Sequence, residues 1–555
     1  MKKLTPILVC LFISGCEMTP SFLGNQQPDP VFIAAEYQDE CFIAPDVADL
    51  QFSCEDASDG TRSVIHPVSD LDSLMTSIAE PELAEDQQEV QSHTDLWQYI
   101  ASQFNMPIPD NRRIWNQQKW YRTHPDYMRR VNKRATPFLS HIVNALEEHD
   151  MPLELALLPI VESAFDPFAY SHGRAAGMWQ FIPGTAKRFG MKQNWWYDGR
   201  RDVIASTQGA IKYLKYLHKM FDGDWLHAIA AYNSGEGRVL RAIRTNKKRG
   251  LPTDFWHLDL PRETRAYVPK LLALSDLLYR SQEMDFPWPE MKNEPVTALV
   301  DVGSQIDLAL AAEFAELTVE QLHALNPGFN RWATDPKGPH YLLLPENKVE
   351  VFTAALGDTS DRQRLNWVRH KITRGDSLLK LANQYHTSVD VIQQVNELRG
   401  NVIRAGDHLM IPVAQQSLDY YSLSEEQRLK ASQNTRRASY QLQHVVERGD
   451  TMWDISRAYN VNLRNLAKWN NMAPTDPLRP GQKLAVWVNK VSEKQTDNAV
   501  MRSLTYTVRR GDSLARIADK FNVKIADLTR WNQLNSKKYL QPGQKLKIFV
   551  DVTRT

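Results

Sequence analysis

Three segments in the last third of the chain share one pattern, and a pattern recurring at fixed spacing restricts the fold more than composition does. Gly375-Asp376-Ser377-Leu378, Gly449-Asp450-Thr451-Met452 and Gly511-Asp512-Ser513-Leu514 each precede an Asn (Asn396, Asn470, Asn532) and then a Gly (Gly406, Gly481, Gly543). The Asp-to-Asn offset is 20 residues in every copy. In the third copy Tyr506-Thr507-Val508 alternates and reads as a strand. Gly511-Asp512-Ser513 turns the chain and offers a helix N-cap. Leu514, Ile517, Ala518 and Phe521 then fall at helical spacing. Asn522 ends that helix, Ile525 begins a second, and Leu546-Lys547-Ile548 returns as a strand after the turn at Pro542-Gly543. The order is βααβ, with two strands able to pair antiparallel. Several copies of such a unit suit an extended, repetitive ligand.

These repeats resemble LysM modules, over 368–413, 440–488 and 504–551. The resemblance implies binding of N-acetylglucosamine-containing glycans between the first strand–helix loop and the second helix–strand loop. The residues it points to are Gly375, Asp376, Ser377 and Asn396, then Gly449, Asp450, Thr451 and Asn470, then Gly511, Asp512, Ser513 and Asn532. The alternative is that the repeats are inert spacers.

At 555 residues the chain has room for three or four domains. Lys plus Arg equals Asp plus Glu at 66 each, so no broad attraction to nucleic acid is indicated. No GxxxxGK[ST], no HExxH and no Cys/His set at zinc spacing is present, so neither a metal nor a cofactor is expected.

The N-terminus reads as a targeting segment over 1–15. Lys2 and Lys3 precede an apolar run from Leu4 to Ile13, too short to span a bilayer. Ile13-Ser14-Gly15-Cys16 resembles a bacterial lipobox, which implies lipidation of Cys16. Glu17 leans the destination toward the outer membrane, facing the periplasm; plain secretion is the alternative. Residues 16–92 read as the lipidated start and an acidic tether, since His66 to Asn111 contains no Lys or Arg. An oxidising compartment would permit Cys41 and Cys54 to pair.

Residues 93–290 differ in texture. Leu, Ala and Trp recur at helical spacing, with helices expected over 204–221, 225–232 and 263–279. Within this block Glu162 closes the apolar run Leu157-Leu158-Pro159-Ile160-Val161. A carboxyl in apolar surroundings is desolvated, which raises its pKa and suits it to act as a general acid near neutral pH. The plainer reading is a solvated group at a helix end.

Three further motifs follow in order: Gly177-Met178-Trp179-Gln180, Ala231-Tyr232-Asn233-Ser234-Gly235, and Tyr267 in Glu263-Thr264-Arg265-Ala266-Tyr267. With Glu162-Ser163, these resemble the soluble-lytic-transglycosylase family over about 110–285, and imply a goose-lysozyme-like catalytic domain. Met178 and Trp179 stand where that family usually has Leu and Met, and Ser234 where it has Ala. The resemblance implies that Glu162 protonates the bond between N-acetylmuramic acid and N-acetylglucosamine, then deprotonates the C6 hydroxyl to leave a 1,6-anhydro end. It implies Tyr232 and Tyr267 as groups that orient Glu162 or the substrate's N-acetyl group. Ser163, Met178, Gln180 and Asn233 complete the substrate-binding set, although Met178 also reads as packing and Tyr267 as core. Trp195-Trp196-Tyr197 is either a stacking platform or a folding anchor. Asp166 is not expected to serve as a second catalytic carboxylate, because Pro167 draws it out of helical geometry.

Residues 298–346 resemble a degenerate LysM module without the Gly-Asp turn, expected to be a spacer packed on the catalytic block. Polar stretches at about 353–366, 414–439 and 489–503 read as linkers that leave the modules mobile. The expected class is α+β and multidomain: a mainly helical lysozyme-like domain followed by small βααβ modules. Its expected partners are peptidoglycan strands and, through the lipid, a membrane. A non-catalytic peptidoglycan-binding scaffold and a lysozyme-type hydrolase are the alternatives.

Overall fold

The computed structural model describes residues 94–286, 288–489, 501–521, 523, 525–532, 534 and 540–551. Cys16, Cys41, Cys54 and the acidic tether lie outside the described residues.

The block from 94 to 286 is helical: α1 (Leu96–Ser102), α2 (Arg112–Arg122), α3 (Pro125–Ala135), α4 (Leu139–Glu147), a 3-10 turn (Leu153–Leu157), α5 (Leu158–Ser163), α6 (Pro183–Arg188), α7 (Val203–Met220), α8 (Trp225–Ser234), α9 (Glu236–Lys248) and α10 (Arg262–Tyr279). Side-chain caps start several of them. Asp202 Oδ1 accepts the Ala205 N–H at 2.8 Å and Asp224 Oδ1 the His227 N–H at 2.9 Å, satisfying amides that a helix start leaves without partners. Helix α10 is central, packing on α1, α2, α5 and α8. Its Val268, Leu271, Leu272, Leu274 and Leu278 are fully buried with Leu155, Leu158, Ile160, Leu214 and Ile229. Burial of such side chains contributes about 1.5–3 kcal/mol each. The three expected helices are present with ends shifted by no more than two residues.

The first small module runs β1 (Thr297–Asp301), α11 (Leu308–Phe314), α12 (Val319–Leu325) and β2 (Tyr341–Pro345), the strands antiparallel with Leu299 opposite Leu343. It is packed on the helical block. Leu325 and Leu343 join the helical core, and Asn330 N–H donates to the Trp196 carbonyl at 2.7 Å. Trp196 and Tyr197 are buried in the module's own core, so this pair of the aromatic triplet anchors the fold. A short helix, α13 (Val349–Gly357), follows.

The second module comprises β3 (Asn366–Lys371), α14 (Leu378–Gln384), α15 (Val389–Val395) and β4 (His408–Val413), again a two-stranded antiparallel sheet. After helix α16 (Glu425–Asn434) come the third module, β5 (Tyr440–Val445), α17 (Met452–Ala458), α18 (Leu463–Trp469) and β6 (Lys483–Val488), and the fourth, β7 (Met501–Thr507), α19 (Leu514–Lys520), α20 (Ile525–Asn532) and β8 (Lys545–Asp551). The last two share one sheet of order β6-β5-β7-β8 and one core that joins Leu442, Ile455 and Val486 to Tyr506, Ile517 and Ile548.

Two of the three stretches expected to be linkers carry packed elements. The stretch 353–366 opens with the last residues of α13, which ends at Gly357, and 414–439 carries α16 and the fully buried Tyr421. The Tyr421 hydroxyl donates to Asp307 at 2.8 Å, and Asp307 also accepts the Gln415 and Ala309 amides. Part of 489–503 lies outside the described residues, yet β7 pairs with β5 through Gln443 and Thr505. Polar composition hides the contacts of Tyr421 and Gln415 because their partner Asp307 is distant in sequence.

Candidate active site

Helix α5 is one and a half turns of nearly unbroken apolar sequence, with Pro159 in its first turn, where a proline costs no hydrogen bond. It stops abruptly. Ala164 and Phe165 both take left-handed backbone, φ 53° and 59°, and their amides close onto the carbonyls of Ile160 and Pro159 at 3.2 Å. Left-handed backbone in a residue with a Cβ costs about 1–2 kcal/mol. Phe165 offsets this by complete burial. The stop leaves Glu162 and Ser163 at the helix's free end.

Glu162 is partly buried, and Tyr267 of α10 donates its hydroxyl to Glu162 Oε1. Burial pushes the Glu162 carboxyl up to about 8, against the opposing pull of the Tyr267 hydrogen bond. The nearby Glu263 charge raises it further and Lys270 lowers it. Tyr267 and Tyr232 are themselves raised well above the ordinary phenol value, by burial and then by the Glu162 charge.

The motif Gly177 to Gln180 lies against this end. Gly177 has φ +81°, and a Cβ there would sit 1.8 Å from the Arg200 carbonyl oxygen. Only glycine fits. Ser163 Oγ donates to the Met178 carbonyl at 3.0 Å, Gln180 Nε2 to the Gly177 carbonyl at 2.8 Å, and the Tyr232 hydroxyl to the Trp179 carbonyl at 2.8 Å. Thr264 Oγ1 donates to Asn233 Oδ1 at 2.8 Å, tying α8 to α10 one turn before Tyr267. Ser163, Gln180 and Tyr232 thus converge on the backbone of 177–179, while α10 reaches Glu162 through Tyr267 and Asn233 through Thr264.

Two expectations change in detail. Tyr232 holds the Trp179 carbonyl and reaches Glu162 through its field rather than by a hydrogen bond. The Met178 side chain is 1% exposed, so the residue offers the site its carbonyl and not its thioether. Asp166 accepts the Phe168 amide at 2.8 Å and serves a turn. The sequence did not reveal Thr264 or Arg200, whose guanidinium donates to the Arg174 carbonyl at 2.9 Å behind the Gly177 turn.

In the repeats, the residues singled out for glycan contact also carry framework roles in their modules. The Asn470 amide donates to the carbonyls of Leu466 and Ala485 while Oδ1 accepts the Ala485 N–H at 2.7 Å, stitching the second helix to the second strand. Asn396 and Asn532 make the same three bonds in their modules. Asn326 makes them in the first module. Asp376, Asp450 and Asp512 each accept the amide three residues back and a group on the first strand (His370, His444 and Tyr506). Ser377, Thr451 and Ser513 are N-caps, and Gly375, Gly449 and Gly511 take φ near +90° in the turn. A side chain whose polar atoms are spent internally has little left for a sugar.

Comparison with known proteins agrees with this division. The Transglycosylase SLT domain model matches residues 141–253, which excludes Tyr267. The lytic transglycosylase MltD LysM-like domain model matches 296–361, and the LysM domain model matches 370–412, 444–487 and 506–549. Membrane-bound lytic murein transglycosylase D of Escherichia coli strain K12 is 39% identical over 404 residues, covering 71% of this chain and 86% of that protein. N-acetylmuramoyl-L-alanine amidase sle1 of Staphylococcus aureus is 28% identical over 204 residues, 36% of this chain and 58% of that protein. Among solved structures, lytic transglycosylase Slt from Pseudomonas aeruginosa matches at 22% identity with a TM-score of 0.23, over 36% of this chain and 35% of that one, too slight a likeness to bear on the fold.

Proposed function

The chain belongs to the family of membrane-bound lytic murein transglycosylase D, and on that premise we propose that Glu162 is the single acid and base of its reaction. The protein is a peptidoglycan lytic transglycosylase with LysM repeats that bind the polymer. Its bond is the one between N-acetylmuramic acid and N-acetylglucosamine, cut without water to give 1,6-anhydro ends in cell-wall turnover and remodelling.

The observation that carries the assignment is the raised Glu162 carboxyl under the Tyr267 hydroxyl. Burial keeps the proton on Glu162 until a glycosidic oxygen arrives to take it. As the C1–O bond breaks, positive charge develops at C1 and Glu162 is left ionised. The Tyr267 hydrogen bond strengthens at that moment, since a hydroxyl donates more strongly to a carboxylate than to a neutral acid. The substrate's C6 oxygen attacks C1, and Glu162 takes its proton, which restores the starting state. Ser163, Gln180 and Tyr232 hold the neighbouring backbone, Thr264 holds Asn233, and the four present polar groups to the sugar.

Ile13-Ser14-Gly15-Cys16 supports lipidation at Cys16, and Glu17 supports an outer-membrane address facing the periplasm. Digestion of purified sacculi tests the catalytic assignment. Wild type releases anhydro-ended fragments identified by mass, and Glu162→Gln releases none. Unchanged release by that variant would remove Glu162 from the reaction.

A further inference from the structure

The segment joining the two halves of the site is a short hairpin. Tyr170 bridges to Ala176 and Ala176 bridges to Phe181, so three strands' worth of backbone are laced together just outside the Gly177 turn. The Ser171 amide donates to Ala175 at 2.9 Å and the Gly177 amide to Ala169 at 3.0 Å. The Phe181 ring meets the Tyr232 ring edge-on at 5.9 Å. Any shift of Tyr170 is therefore passed to Gly177, Phe181 and Tyr232.

The outer face of this hairpin is gripped by the third module. Asp476, in the loop between α18 and β6, places Oδ1 2.7 Å from Arg174 Nε. Its Oδ2 accepts the Tyr170 hydroxyl at 3.0 Å and the Ala473 amide at 2.7 Å. The Asp476 side chain is only 12% exposed, so the pair is partly shielded from water. A second contact comes from α16, which packs on α18 and β6: the Arg428 guanidinium lies 4.8 Å from the centre of the Phe168 ring.

We infer that Asp476 is a positioning residue for bond cleavage, the third module holding hairpin 170–176 in the place that sets the Met178 carbonyl and Tyr232 around Glu162. The module then serves turnover as well as attachment. This rests on the assignment of Glu162 as the acid.

The test uses the full chain and a purified tetrasaccharide of alternating N-acetylglucosamine and N-acetylmuramic acid. Asp476→Ala lowers kcat roughly tenfold, with KM changed less than about twofold and sacculus binding retained. Tyr170→Phe, which deletes one hydroxyl and leaves the module folded, lowers kcat in the same direction. Asp476→Asn, which keeps an acceptor for the Tyr170 hydroxyl and the Ala473 amide, recovers part of the kcat lost in Asp476→Ala. Wild-type kcat in both Asp476→Ala and Tyr170→Phe overturns the inference. Anhydro product that persists in Glu162→Gln marks a different failure, that of the acid assignment itself.

Discussion

Tyr267 donates its hydroxyl to Glu162 across 105 residues of sequence, joining the second turn of the domain's last long helix to the end of its short apolar one. Burial raises the carboxyl's pKa and this bond lowers it, so the two set Glu162 between holding and releasing a proton. Tyr267→Phe removes the lowering influence. We expect kcat to fall by about 10- to 100-fold and the alkaline limb of the rate profile to move to higher pH. A fall in kcat with no movement of that limb would show Tyr267 acting on the sugar instead.

The Glu162 carboxyl, raised to about 8 by burial, predicts kcat/KM that is level through neutrality and falls as pH rises past that value. The same shift has a stability sign. Between the ordinary glutamate range and about 8, the folded chain keeps a proton that the unfolded chain has released. Stability therefore declines as pH rises through that window. Glu162→Gln carries no titrating proton. Its unfolding temperature should exceed that of wild type by more at about pH 9 than at about pH 5, as read by thermal melts.

Gly177 admits no side chain, since its Cβ would overlap the Arg200 carbonyl oxygen at 1.8 Å. Backbone cannot swing away as a flexible side chain can. Gly177→Ala should cost about 3 kcal/mol or more in denaturant unfolding of the catalytic domain and abolish activity. Gly235→Ala is the comparison, because open space surrounds that position although its φ of +84° is also left-handed. It should cost less.

Asn470 is buried and makes three hydrogen bonds inside its module. Asn470→Ala leaves the Ala485 amide and two carbonyls without their partner, at a cost of about 2–4 kcal/mol. Loss of sacculus binding should track unfolding of the module in a denaturant series. A variant that keeps wild-type stability yet loses binding would return Asn470 to the glycan surface.

The helices and the four motif segments of the site were legible because they are local. Leu, Ala and Trp at helical spacing mark α7, α8 and α10, and Gly177 announces a turn that only glycine can make. The repeated Gly-Asp-Ser/Thr and Asn were legible as a pattern, but their framework hydrogen bonds were not. Framework and ligand contact both demand polar side chains at fixed spacing, and only their partners in space tell them apart. Tyr421 and Asp307 were hidden for another reason. They meet across 114 residues, from a stretch whose composition is polar, so no periodicity marks Tyr421 as buried. The left-handed pair Ala164 and Phe165 leaves no trace in residue type at all.

One measurement bears most directly on a carboxyl that lends a proton and takes one back. Sacculi are digested in water enriched in oxygen-18, and the released fragments are weighed. A single group working as acid and then base on the substrate's own hydroxyl predicts ends lighter by one water and free of label, with the release lost in Glu162→Gln. Reducing ends that carry the heavy oxygen would mean that water attacks C1, and would contradict the account.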